Sequence, residues 1–249
     1  PARLHQERMT AVATTPPDTR LYAVGDIHGR ADLLRRLLAQ IAADAAARPP
    51  AFQQLIYLGD YVDRGPASQE VIDIVLDEAP PGFEVVALRG NHEEMMQRFL
   101  EDTGVARTWM MNGGDATLGS YGVEAPSVFA GTPIHRHAQA LFRTQLPLRH
   151  KEFLANLADT YAAGDYFFVH AGVRPGVPLP QQRGEDLRWI RDEFLGSKVN
   201  FGKIVVHGHS IEREPVVRTN RIGIDTGAYA SDHLTCLVLE GTERRFLQT

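Results

Sequence analysis

Cysteine is nearly absent from this chain. Cys236 is the single one in 249 residues, which excludes an intrachain disulfide and any thiolate-rich zinc site. It lies in the run Leu234-Thr235-Cys236-Leu237-Val238-Leu239 and reads as a small buried strand residue. Long hydrophobic runs are missing too. None approaches the roughly 18 apolar residues of a membrane-spanning helix, and the first residues lack the apolar core of a signal peptide. The cytoplasm is therefore the expected compartment, with no membrane partner. Excess positive charge is also lacking: 26 Lys and Arg stand against 31 Asp and Glu, a net −5 with His neutral. That argues against broad electrostatic binding to nucleic acid.

What is present suits a soluble globular chain. Hydrophobic residues make up 43%, enough for a sizeable core. The length fits one domain, with or without an insertion. Residues 1–20 are expected to be a flexible tail, and 21–249 a single domain.

The order of elements follows from periodicity. Leu21-Tyr22-Ala23-Val24 is a short β run. Leu33, Leu34, Leu37, Leu38 and Ile41 recur at helical spacing, and Pro49-Pro50 end that helix. Leu55 to Leu58 is a strand. Val71, Ile72, Ile74, Val75 and Leu76 form the apolar face of a second helix. Phe83 to Leu88 is a strand, and helix resumes near His92. This β-α-β-α-β-α alternation predicts a mainly parallel sheet. From 101 to 150 the alternation stops, and a mostly helical, cap-like insertion is expected, with Met110-Met111 as core. Lys151 to Ala158 and Leu187 to Leu195 read as helices. Tyr166 to Val169, Ile204 to Val206, Ile222 to Asp225, Leu234 to Leu239 and Arg244 to Leu247 read as strands. The late strands follow one another without helices, so a second, mixed or antiparallel sheet packed on the first is the expectation.

Chemistry concentrates where apolar runs end. Gly59-Asp60-Tyr61-Val62-Asp63-Arg64-Gly65 follows the strand at 55–58. Four loops share its character: Gly25-Asp26-Ile27-His28-Gly29, Gly90-Asn91-His92-Glu93, His170-Ala171-Gly172 and His207-Gly208-His209. Asp, Asn and His at five strand ends suit a two-metal site. Asp26 and His28 are two apart and could face one ion. Asp60 can bridge two ions, while Asn91, His170 and His209 offer an amide oxygen and imidazole nitrogens. Nitrogen and oxygen donors without thiolate favour Mn²⁺, Fe or Zn²⁺ over Ca²⁺. Arg64, Arg89 and Arg191 are candidate anion forks.

These motifs resemble those of the PPP-family phosphoprotein phosphatases, within the calcineurin-like metallophosphoesterases, and the bacterial and phage members most in style. The resemblance runs from about Leu21 to Ala228. It implies a four-layer α-β-β-α sandwich of two mixed sheets with a dinuclear centre, Mn²⁺ being the leading metal. Carried over, Asp26, His28 and Asp60 hold the first ion, and Asp60, Asn91, His170 and His209 the second. His92 becomes the general acid, oriented by Asp63, and Arg64, Arg89 and Arg191 bind phosphate oxygens. A metal-bridging hydroxide attacks phosphorus, without a phosphoenzyme. His207 is a supporting or packing residue. Tyr229 lies near where such sites close.

The implied substrate is a phosphorylated protein or peptide carrying phosphoserine, phosphothreonine or phosphotyrosine, with small phosphoesters as further candidates. The alternative is symmetrical hydrolysis of diadenosine tetraphosphate. Asp63 and Glu93 favour the protein-phosphatase branch. A nuclease of the same superfamily and a non-catalytic scaffold are the remaining rivals; the acidic balance weighs against the first and the intact ligand set against the second.

Overall fold

The computed structural model describes residues 12–49 and 51–249. Its strands form two five-stranded mixed sheets. β1 (Thr19–Val24), β2 (Phe52–Tyr57) and β3 (Phe83–Ala87) run parallel. α1 (Ala31–Ala46) and α2 (Ser68–Asp77) cross over between them, and α3 (Asn91–Glu101) follows β3. The second sheet has the order β4-β5-β6-β8-β7. In it β5 (Tyr166–Val169), β6 (Ile204–His207) and β8 (Arg221–Gly223) are parallel. β4 (Thr160–Ala163) and β7 (Val216–Val217) close its edges antiparallel.

Alternation along the strands builds the layers. In β1, Leu21 and Ala23 face the second sheet, while Tyr22 and Val24 face the helices. In β5, Tyr166 and Phe168 point between the sheets, and Phe167 and Val169 point outward. One strand thus serves two cores, because successive side chains point to opposite faces. α1 buries the expected Leu33, Leu34, Leu37, Leu38 and Ile41, each such burial contributing about 1.5–3 kcal/mol. Leu76 departs from expectation and is exposed at the end of α2. On the outer face of the second sheet lie two short helices, α8 (Gly184–Trp189) and α9 (Asp192–Leu195). The result is the four-layer α-β-β-α arrangement.

Several boundaries differ from the sequence reading. The last two strands, β9 (Thr235–Glu240) and β10 (Glu243–Gln248), join the first sheet beside β1 and not the second. β9 is buried on both faces, Cys236 and Val238 against the helices and Leu237 and Leu239 between the sheets. The expected helix over 187–195 is broken at Arg191, whose backbone is non-helical (φ −131°, ψ −98°). Of the expected tail, residues 1–11 lie outside the described ones, and the later part is tied down: the Thr14 N–H donates to Asp165 Oδ2 (2.9 Å) and the Thr15 N–H to Gly241 O (3.0 Å). Thr19 and Arg20 already belong to β1.

Residues 103–156 are largely helical. After a 3₁₀ turn, Thr103–Val105, come α4 (Ala106–Trp109), a wide turn at Met110–Gly114 and α5 (Asp115–Ser120). α6 (Thr132–Gln145) and α7 (Leu148–Asn156) complete the segment. It docks through aromatic packing: Trp109 lies 4.8 Å from Phe99 and 5.9 Å from Phe142, between ring centres. Met110 is buried in this core, whereas Met111 is exposed.

Candidate metal centre

The parallel strands of both sheets end on one side of the molecule, and the five loops meet there. Close approach is achieved with glycine. A Cβ on Gly90 would fall 2.1 Å from Asp60 Oδ1, and one on Gly208 2.0 Å from Asp26 Oδ1. Backbone strain collects at the same place. His28, Asp60, Asp63, Arg64 and His209 all have φ between +47° and +72°, a region that side chains with a Cβ rarely adopt.

Asp60 is the centre. Its Oδ2 lies 3.5 Å from His28 Nε2, and its Oδ1 lies 3.4 Å from His170 Nε2. Donor atoms of His28, Asp60 and His92 cluster within 4.8 Å of one another, as do those of Asp60, His170 and His209. Asn91 Oδ1 is 2.8 Å from His170 Nε2. Asp26 accepts the His209 backbone N–H at 3.0 Å, tying the first loop to the last. The structure thus brings together Asp26, His28, Asp60, Asn91, His170 and His209.

The donor set fits cations. Burial pushes His28 down to about 3 and His209 down to about 2, and it lowers His170 as well, so all three imidazoles are neutral, as a metal ligand must be. Burial also opposes the charge on Asp60, yet His170, His92 and His28 hold its carboxyl below the usual range. Nδ1 of His28 is 2.8 Å from Val62 O and Nδ1 of His170 is 2.9 Å from Leu58 O. Those carbonyls fix the tautomer that leaves each Nε2 free for a metal. His209 Nε2 is buried and has no partner among the described residues, an expense that a metal bond removes. Asp26 is raised by burial and then by Asp225 and Asp60, a crowding of carboxyls that cations relieve.

His92 behaves differently. Its Nδ1 is 2.7 Å from Asp63 Oδ2. Burial works against its charge, but Asp60 and the Asp63 hydrogen bond raise it. Asp63 is fully buried, and burial pushes it up against the pull of His92. It also accepts from Trp109 Nε1 (2.9 Å) and Thr117 Oγ1 (2.7 Å). Trp109, Thr117 and the His92 ring surround this one carboxyl, which orients the ring.

Trp109 and Thr117 come from the helical segment and were not among the expected site residues. Asp225 was also missed. It is buried, lies beside Asp26, is pushed by burial up to about 6, and lines the cavity. Its signal was available, since it too follows a short β run, Ile222-Gly223-Ile224. Glu93 does not face the cavity. It accepts the N–H groups of Gly90, Asp60, Tyr61 and Val62 at 2.8–3.3 Å and holds two loops in register.

The arginines divide. Arg64 and Arg191 line a cavity of about 260 Å³ over the centre, with Asn112, Trp189 and His209. Arg64 stacks on Tyr229, 4.5 Å from the ring centre, and its N–H donates to Gly113 O at 3.1 Å. Arg89 lies elsewhere. Its Nη2 points to the carbonyls of Leu154, Ala155 and Leu157 at 3.4–3.5 Å, the unsatisfied C-terminal end of α7. His207 is buried with Nδ1 3.0 Å from Gly208 O and packs edge-on against Phe194 at 5.0 Å.

Comparison with known proteins points the same way. Serine/threonine-protein phosphatase 2 of Escherichia coli is 37% identical over 95 residues, a stretch that spans 38% of each chain. The asymmetrical bis(5′-nucleosyl)-tetraphosphatase PrpE of Anoxybacillus flavithermus is 26% identical over 235 residues, covering 86% of this chain and 88% of that one. A crystal structure of a candidate diadenosine tetraphosphatase superposes with a TM-score of 0.65 at 19% identity, covering 95% and 98% of the two chains; this shows the shared fold. The profile of the calcineurin-like phosphoesterase family matches residues 19–237. With that match over most of its length, and with Asp and His side chains gathered at the strand ends, the chain belongs to the calcineurin-like phosphoesterase family.

Proposed function

We propose that this protein is a metal-dependent phosphomonoester hydrolase acting on phosphorylated protein, at phosphoserine or phosphothreonine and also at phosphotyrosine. The observation that carries the reading is the His92–Asp63 pair set beside Asp60. It places an imidazole, raised by Asp60 and Asp63, on the rim of a donor set suited to two divalent cations. Asp26, His28 and Asp60 would hold one ion, and Asp60, Asn91, His170 and His209 the other; manganese suits these donors, as do iron and zinc. Two such ions would supply Lewis acidity and a water of lowered pKa.

The chain's own residues do the rest. Arg64 and Arg191 bind and orient the phosphoryl oxygens. Asp63 fixes the His92 ring through Nδ1, leaving Nε2 to give its proton to the departing oxygen. Trp189 lines the cavity, and Tyr229 packs against Arg64 and edge-on to His28. At about 260 Å³, the cavity falls below the ~300–1,000 Å³ common for drug-sized ligands. It suits a phosphoryl group and the end of a side chain, with the remaining substrate lying across the surface.

Dinucleoside tetraphosphate hydrolysis, symmetrical or asymmetrical, is the second reading, favoured by the PrpE relative that spans 86% of this chain. The choice is tested by supplying Mn²⁺ to metal-stripped protein. Phosphoserine, phosphothreonine and phosphotyrosine peptides are offered alongside diadenosine tetraphosphate. A higher kcat/KM for the peptides supports the proposal. A higher value for the dinucleotide keeps the metal centre and moves the activity to nucleotides.

A further inference from the structure

A larger cavity, of about 650 Å³, opens at the far ends of β6 and β8. The catalytic loops leave the carboxyl ends of these strands, and this cavity sits at their beginnings, one strand length or roughly 10 Å away. Its walls are the stretch Leu195–Lys198, the β7–β8 turn at Val217–Asn220, and Arg244 from the first sheet. Lys198, Arg218 and Arg244 line it, and no acidic side chain does. Among the described residues, none of the three has a carboxylate within 4.0 Å.

Beneath the wall lies a fourth cation. Arg221 is only 8% exposed. Its Nη2 donates to Leu195 O at 3.2 Å, its Nη1 faces His207 Nε2 at 3.3 Å, and its Nε is buried without a partner. None of these contacts neutralises the guanidinium, and Glu212 acts on it only from beyond contact distance. The other deeply buried arginine shows the ordinary solution: Arg20 is held by both oxygens of Glu240 at 2.8 and 2.7 Å. A buried charge is normally paired, because desolvation penalises it heavily otherwise. Four cations without a carboxylate at one end of a chain of net charge −5 therefore mark a place for an anion.

The cavity is also preformed. Asn220, itself buried, donates from Nδ2 to Ser197 O at 3.0 Å and to Val199 O at 2.9 Å. The Arg218 N–H closes the turn on Arg221 O at 2.8 Å. These bonds lock the Lys198 loop and the Arg218 turn together before any ligand arrives, which lowers the ordering entropy of binding.

We propose that this cavity is a second anion site, separate from the phosphoester centre, that takes a multiply charged phosphate compound of about mononucleotide size. The size follows from the volume, which lies within the ~300–1,000 Å³ of small-molecule sites. The charge follows from three cations in the lining and one beneath it. Arginine forks suit phosphate oxygens, and Val217 and Leu195 give an apolar flank for an uncharged remainder.

The test uses the full chain stripped of metal, so that the phosphoester centre lacks its main affinity for anions. Inorganic pyrophosphate and ADP are titrated by calorimetry. At least one is expected to bind with a micromolar Kd, and the double variant Lys198→Glu/Arg218→Glu is expected to bind at least ~10-fold more weakly. Both positions are exposed and outside the catalytic centre, so hydrolysis by the metal-loaded variant stays at the wild-type level and reports correct folding. Arg64→Ala/Arg191→Ala retains the binding. ADP binding more tightly than pyrophosphate assigns the ligand as a nucleotide, and equal affinities assign it as the phosphate group alone. The proposal is overturned if neither probe binds below ~1 mM, or if the Arg64/Arg191 variant loses binding while the charge reversal keeps it.

Discussion

His92→Asn separates two roles that the geometry places side by side. His92 Nε2 lies 3.9 Å from Asp60 Oδ2, and its ring belongs to the same donor cluster as His28 and Asp60. A carboxylate on Nδ1, such as Asp63 at 2.7 Å, orients a metal-binding imidazole as readily as a general acid. The two roles differ in what the variant loses. Asn keeps a donor for Asp63 but has no proton to give. If His92 is the acid, kcat falls about 10²–10⁴-fold, which is about 3–5 kcal/mol of transition-state stabilisation. Bound metal remains at the wild-type stoichiometry, because the six proposed ligands are untouched. The loss also depends on the leaving group: it is full for an alkyl phosphoester such as a phosphoserine peptide, and small for an activated aryl phosphate whose leaving oxygen needs no proton. The assay is metal analysis after gel filtration, together with kcat on the two substrates. Loss of about one equivalent of metal, or an equal fall on both substrates, refutes the acid assignment.

Three further outcomes are expected. Trp109→Phe keeps the aromatic packing on Phe99 but removes a hydrogen bond to the buried Asp63. Bonds to charged groups contribute ~1.5–3 kcal/mol, so kcat on a phosphoserine peptide falls about tenfold, and an equal fall on an activated aryl phosphate would assign Trp109 to packing alone. Arg191→Ala raises KM with little change in Tm, whereas Arg89→Ala lowers Tm and leaves KM unchanged; a KM effect at Arg89 comparable with that at Arg191 would restore it to the phosphate site. His207 is held neutral by burial, down at about 3 against an ordinary 6.5, so the unfolded chain takes up its proton first and the stability it supports is full above pH 6.5 and lost as pH falls. Between pH 7 and 5.5, the stability of the wild type relative to His207→Gln drops by about 1 kcal/mol, measured by urea unfolding of metal-free protein. A flat difference would mean that His207 is not buried neutral.

Glu93 acts on the loops and not on the cavity. Its position in the third loop favoured one substrate branch on resemblance. In the fold it contacts four backbone amides and no part of the cavity. Any bearing on the substrate passes through loop shape. The proposal of a protein substrate therefore rests on Asp63 and on the small cavity.

The chain's local patterns determined much by themselves. The spacing of Leu33, Leu34, Leu37, Leu38 and Ile41 is the face of α1. The Asp, Asn and His residues after apolar runs are the donors around Asp60, since a parallel strand must end where its crossover begins and its charged loop goes with it. Residue type also excluded thiolate ligation. Tertiary structure decided everything that depends on distant partners. β9 pairs with β1 across some 200 residues and carries β10 with it, and no local periodicity encodes which sheet edge a strand will find. Trp109 and Thr117 reach Asp63 from a segment whose own pattern reads only as helical, and Arg89 turns from the cavity to the end of α7. Arg221 and its neighbours become a cation cluster only when β8, the Lys198 loop and β10 meet. Periodicity records which face of an element is buried, whereas the choice of partner on that face is made by packing and by pairing of buried polar groups.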